Sequence, residues 1–188
     1  MAAAVVFFTN VFVPARQILL ETAGNIVWQY RKFQRDPLII NRRILAPSEV
    51  LILAKHADEF SSVILINKSL PKRTEIISEN TLVGFVLESA GSISKVELIT
   101  ASSAKVGGVL GRSGIIAEFE GRGAGLLEAH LPKGSDVSEG DAVFYGENIG
   151  LVVGGVVRVD DNPANPFVDV FVQSPINITT LQVVSYGR

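Results

Sequence analysis

Two stretches, LVGFVLESAGSISKVELIT (residues 82–100) and VGGVVRVDDNPANPFVDVFV (residues 153–172), decide how this 188-residue chain is read. Each carries a glycine inside an apolar run, Gly84 or Gly155, then a valine two residues on, a polar turn and an alternating strand. In the first copy Val96 and Leu98 stand 12 and 14 residues after the glycine; in the second Val168 and Val170 stand 13 and 15 after it. A plan used twice implies two similar β modules. Glycine weakens a strand unless the strand must bend or let another backbone approach, so Gly84 and Gly155 are expected to be bends.

Working outward, strand-like runs fill the chain after Pro47: EVLILAK (49–55), SVILIN (62–67), TLVGFVLE (81–88), SKVELIT (94–100), KVGGVLG (105–111), GIIAEFE (114–120), GLLEAHL (125–131), AVFYG (142–146), LVVGGVVRV (151–159), FVDVFVQ (167–173) and TLQVVSY (180–186). Short segments at this spacing, separated by Gly, Pro, Asn and Ser, predict a barrel or sandwich rather than alternating strands and helices. FVDVFVQ alternates cleanly: Val168, Val170 and Val172 share one face, while Phe167, Asp169, Phe171 and Gln173 share the other. The expected fold is mainly β, with two small β-barrel-like modules in tandem, interleaved within residues 47–188 and preceded by an N-terminal helix.

Residues 1–46 read differently. Met1 to Val13 is uncharged and mostly apolar, but as a helix it reaches only about 20 Å against a hydrocarbon thickness of roughly 30 Å. It reads as the end of a membrane helix, a short interfacial anchor or a buried soluble helix. Ile18, Leu19, Ala23, Ile26, Val27 and Tyr30 continue an amphipathic pattern that ends in Arg31, Lys32 and Arg35. Pro37 interrupts the helix, and Pro47 pushes Ala46 towards extended backbone.

Composition narrows the chemistry. A net charge of −2 gives no surplus of Lys and Arg to neutralise phosphates, which argues against nucleic acid. The absence of cysteine excludes disulfides, thiolate zinc sites and thiol catalysis. Only His56 and His130 are present, and nothing resembles a nucleophile elbow or a serine-protease serine loop. GRGAG (121–125) lies between two strand-like runs, not between a strand and a helix, so it predicts a hairpin rather than a phosphate cradle. GRSGI (111–115) is expected to be a hairpin turn, and DDNPANP (160–166) a stiff connection lacking calcium-ligand order. Gly140 is expected to form a turn with Asp141 as its capping acid. No catalytic residue, metal or cofactor is expected.

The order of an apolar N-terminal segment, a short amphipathic helix and glycine-marked β modules resembles the bacterial rod shape-determining protein family MreC. The resemblance runs from Ser48 to Ser185, through VILIN, LVGFV with KVELIT, LGRSGIIAEFEGRGAGLLEAHLP, VSEGDAVF, GLVVGGVV and VFVQSPINITTLQVV. One departure is YGENIG, where the family often has a Thr-Ser-Gly turn. The resemblance implies a non-enzymatic, self-associating scaffold, a homodimer or larger assembly, that couples the cytoskeleton to cell-wall synthesis. Its implied partners are cell-elongation membrane proteins and penicillin-binding proteins. It also implies a cell-membrane location, through a single-pass or truncated N-terminal anchor, with the β region extracytoplasmic. Tyr145, Phe167 and Phe171 are the expected contact residues. The alternative reading is a periplasmic adaptor of a secretion or efflux assembly.

Overall fold

The computed structural model describes residues 45–57, 62–102 and 104–187. The expected N-terminal segment and amphipathic helix therefore lie outside the described residues. The strands are β1 (Glu49–Ala57), β2 (Ser62–Ile66), β3 (Glu75–Ser78), β4 (Thr81–Ala90), β5 (Ile93–Leu98), β6 (Lys105–Leu110), β7 (Ile116–Gly123), β8 (Leu126–Pro132), β9 (Ala142–Tyr145), β10 (Asn148–Asp160), β11 (Phe167–Gln173) and β12 (Val183–Tyr186).

Their hydrogen-bonded ladder closes on itself twice. Starting from β6, one circuit runs β6, β7, β8, β11, β10, β9 and back to β6, forming a six-stranded barrel, ring B. The other runs β12, β1, β2, β5, β4, β3 and back to β12, ring A. Every pairing within either circuit is antiparallel. The two circuits therefore follow one plan, with β12 in the place of β6, β1 in that of β7, and the hairpin β4–β5 in that of β10–β11. This is the physical content of the repeat. The modules are not in simple tandem, however: ring B is inserted between β5 and β12, and the last strand returns to complete ring A.

The rings meet where their equivalent strands β4 and β10 run parallel, with Val152 opposite Thr81 and the Val152 amide donating to Asn80 O at 2.8 Å. Burial holds each ring together. Ring B encloses Phe119, Leu127, Val153 and Val170, and ring A encloses Ile66, Ile76 and Val96, all with no exposed surface. Leu82 and Ile99, from β4 and the end of β5, pack into ring B's core, so the contact between the rings is apolar as well as hydrogen-bonded. The β5–β6 connection lies along β7, with Gly121 N donating to Ala104 O and Gly123 N to Thr100 O. The two expected hairpins at 111–115 and 121–125 are present.

Two differences from the sequence expectation are instructive. β3, EIIS, lies outside the eleven expected runs because only Ile76 in it is fully buried, leaving almost no alternation to read. Of the paired glycines, Gly84 is the site of a close approach: an added Cβ would lie 2.1 Å from Glu97 O, so β5 can approach β4 only because no side chain intervenes. At Gly155 an added Cβ would meet nothing within 4 Å, so no such close approach occurs there. Its neighbour Gly154 is the crowded position, with Gln173 O 2.5 Å away. The repeat is offset by one residue at this point, where β10 is bulged against both of its neighbours.

Candidate interaction surface

A side chain can contact a partner only from the outside of a ring, and pleating decides which do. Tyr145 does not: it is 5% exposed, lies in ring B's core and tilts against Phe85 of β4 with ring centroids 5.8 Å apart. Its expected contact role is thus replaced by a role in joining the rings. Burial, followed by the nearby Glu147 carboxylate, pushes its phenol up to about 12. Phe171 points outward and is half-buried, with the Arg158 guanidinium 4.0 Å from its ring centroid. Phe167, opposite Pro132 at the start of β11, is 48% exposed. Val168, Val170 and Val172 are buried as expected, because the pleat turns alternate residues inward.

The outer face of β7, β6, β9 and β10 carries a broader apolar row. The register places Ile116 opposite Val109, Val109 opposite Phe144 and Phe144 opposite Val152. Four neighbouring strands set this row across about 14 Å at the usual strand spacing. Ile116 is 78% exposed, and Ile149, in the bulged start of β10, is 73% exposed. The outward positions beside Val109 and Phe144 are Gly107, Gly111, Ala142 and Gly146, none of them charged. Phe144 lies over Gly111, where an added Cβ would be 2.6 Å from its ring. These strands lack a polar face: KVGGVLG and AVFYG are apolar or glycine at nearly every position. That is the signal by which sequence reasoning could have found the row, which it missed by looking for aromatics.

The turns bordering this face are pinned. Gly140 has φ +90° and its amide donates to Val156 O at 2.8 Å. Asp141 accepts from Ser138 N at 2.8 Å, the capping contact expected of it, and pairs with Arg112 Nε at 2.9 Å. Arg112 also reaches Asp136 at 2.8 Å, tying the β6–β7 turn to the β8–β9 connection. These contacts, Arg112 first and the Ser138 amide second, hold the Asp141 carboxyl below its ordinary value of 3.8.

A concave feature lies where the chain crosses between rings. A groove of about 500 Å³ is lined by Val83, Leu98 and Thr100 on one side and by the β11–β12 connection, including Ser174, Ile176 and Ile178, on the other. Ser174 N donates to Gly125 O at 2.9 Å, and the Asn177 side chain caps the turn through Thr179 N at 3.0 Å. No helix among the described residues is long and apolar enough to cross a membrane.

Paired six-stranded rings, one carrying a row of apolar side chains on its outer face, define an all-β double-ring module. The family is given by a direct match: residues 52–185, more than half of the chain, fit the family of rod shape-determining protein MreC, barrel core, and the chain belongs to that family. The fold is similar to that in the crystal structure of MreC from Pseudomonas aeruginosa, at 20% identity and a TM-score of 0.70, over 74% of this chain and 97% of that one. It is also similar to the major periplasmic domain of the cell shape-determining filament MreC, at 16% identity and a TM-score of 0.58, over 74% and 95%. A third similar structure is MreC in a complex between penicillin-binding protein PBP2 and MreC from Helicobacter pylori, at 13% identity and a TM-score of 0.56, over 75% and 98%. A search of curated protein sequences found no significant match.

Proposed function

We propose that this chain is a non-catalytic scaffold of the cell-elongation machinery that self-associates and couples the cytoskeleton to cell-wall synthesis. In this reading its β region is extracytoplasmic and its N-terminal segment attaches it to the cell membrane. The observation that carries the proposal is the uncharged apolar row Ile116, Val109, Phe144 and Val152 on the outside of ring B. A soluble surface gains nothing by exposing contiguous apolar side chains unless another surface covers them. Membership of the MreC family and the PBP2 complex of the Helicobacter pylori relative support a penicillin-binding protein as one such partner. The alternative, an adaptor of a secretion or efflux assembly, expects a long helical hairpin and lipoyl-like half-motifs, and no specific observation favours it.

The test is capture of a PBP2-type penicillin-binding protein by the immobilised full-length chain, compared with Ile116→Asp and Ile149→Asp variants. Wild-type capture lost in the variants supports the proposal. No capture by any form, together with a chain that stays monomeric, overturns it.

A further inference from the structure

The outer face of the β8–β11 seam brings three metal-ligating side chains together, and we propose that they form a site for a divalent transition-metal ion such as zinc. Asp169 and His130 are directly paired across the seam, and Glu128 lies two residues from His130 on the same strand face. One donor atom from each of Glu128, His130 and Asp169 falls within 4.8 Å of the other two. His130 Nδ1 and Asp169 Oδ1 are already in hydrogen-bond contact at 2.6 Å, across the place a metal ion would take.

The chemistry fits a borderline cation. One imidazole and two carboxylates make three protein ligands, and His130, whose side chain is 54% exposed, leaves the fourth position open to water. Ligands bonded at 2.0–2.1 Å in a tetrahedron stand about 3.3 Å apart, so the donors need only side-chain rotation to converge. The backbone holds them in register meanwhile, because β8 and β11 pair without a bulge from Phe167 opposite Pro132 to Gln173 opposite Leu126.

Glu128 now has another partner: Arg122 Nε lies 2.5 Å from its carboxylate. Arg122 also has a second acid, with Nη1 3.6 Å from Glu120. An incoming dication would compete with the guanidinium for Glu128, and Arg122 would transfer its pairing to Glu120. Arg122 is therefore a built-in competitor whose removal must strengthen metal binding. The bound ion would clip β8 to β11, one of the two ladders that close ring B through β11.

The experiment is calorimetric titration of the metal-free full-length chain with zinc chloride, with magnesium chloride as the hard-cation control. The expected result is one zinc per chain, binding weakened at least tenfold in His130→Gln and in Asp169→Asn, and unchanged binding in His56→Gln, which removes the other histidine. Arg122→Gln should bind more tightly than wild type. Circular dichroism of each variant confirms folding, and in wild type zinc should slow amide exchange in β8 and β11. Zinc binding that persists in His130→Gln, that is lost equally in His56→Gln, or that is absent altogether overturns the site. The result is independent of whether the chain is a scaffold, since no partner enters the measurement.

Discussion

Ring B takes its six strands from one run of chain, residues 105–173, whereas ring A takes five from residues 49–98 and its sixth, β12, from residues 183–186. The missing place in ring A is filled across an insertion as large as a module. Its seams are accordingly short: β12 pairs with β1 at three positions and with β3 at two, while β8 and β11 of ring B pair at seven. The surfaces differ as well. Ile116, Ile149, Val157 and Phe167, the exposed large hydrophobics among the described residues, all belong to ring B. One strand plan thus has two outcomes: ring A gathers the ends of the described region, and ring B carries the exposed large apolar side chains.

The largest effect is expected on ending the chain after Leu181, which deletes β12. Val184, fully buried in ring A, is lost with both of its ladders. Amide exchange in β1, β2 and β3 should accelerate to that of locally unfolded chain, while β6 to β9 remain protected. Equal loss of protection in both rings would contradict the self-contained closure of ring B.

Next come the paired glycines. Gly84→Ala puts a Cβ against Glu97 O, a backbone atom that cannot rotate away, and should destabilise the chain by on the order of 3 kcal/mol in urea unfolding. Gly155→Ala meets open space and should fall within about 1 kcal/mol of wild type. A reversal of that order would mean that the close approach of β5 to β4 has been assigned to the wrong glycine.

Smaller effects follow from titration. The Tyr145 phenol, pushed up to about 12 in the folded chain from its ordinary 10.0, stays neutral while an unfolded tyrosine ionises. Stability should be unaffected by this group below pH 10 and should fall as pH rises from 10 towards 12. Tyr145→Phe should flatten that decline in thermal melts, although the lost hydroxyl changes little at neutral pH. The smallest effect lies at the pinned turn. The Asp141 carboxyl is held below 3.8, so its stabilising contribution is present above that value and is lost as pH falls through the folded value. Asp141→Asn should remove this acid sensitivity, read as a smaller change in melting temperature between pH 5 and pH 3.

The sequence disclosed whatever rested on alternation or on turn chemistry. FVDVFVQ, GRGAG and the Gly140–Asp141 turn were legible because a period of two, or a positive φ, leaves a direct mark on residue choice. The joining of β12 to ring A was not, since strand pairing over such a separation leaves no local trace. The contact residues were misread for a related reason. Tyr145 has the chemistry of an interface residue, but its strand position turns it inward against Phe85. Ile116 has ordinary core chemistry, but the register of β6 and β7 turns it outward.

Whether ring B is the interacting ring is decided by sedimentation equilibrium of the full-length chain alongside Ile116→Asp and a control, Lys72→Glu, in the exposed β2–β3 connection of ring A. Association is expected in wild type and in the control, with a shift towards monomer of at least tenfold in dissociation constant for Ile116→Asp with its fold intact. Association unchanged by Ile116→Asp, or abolished equally by Lys72→Glu, would contradict it.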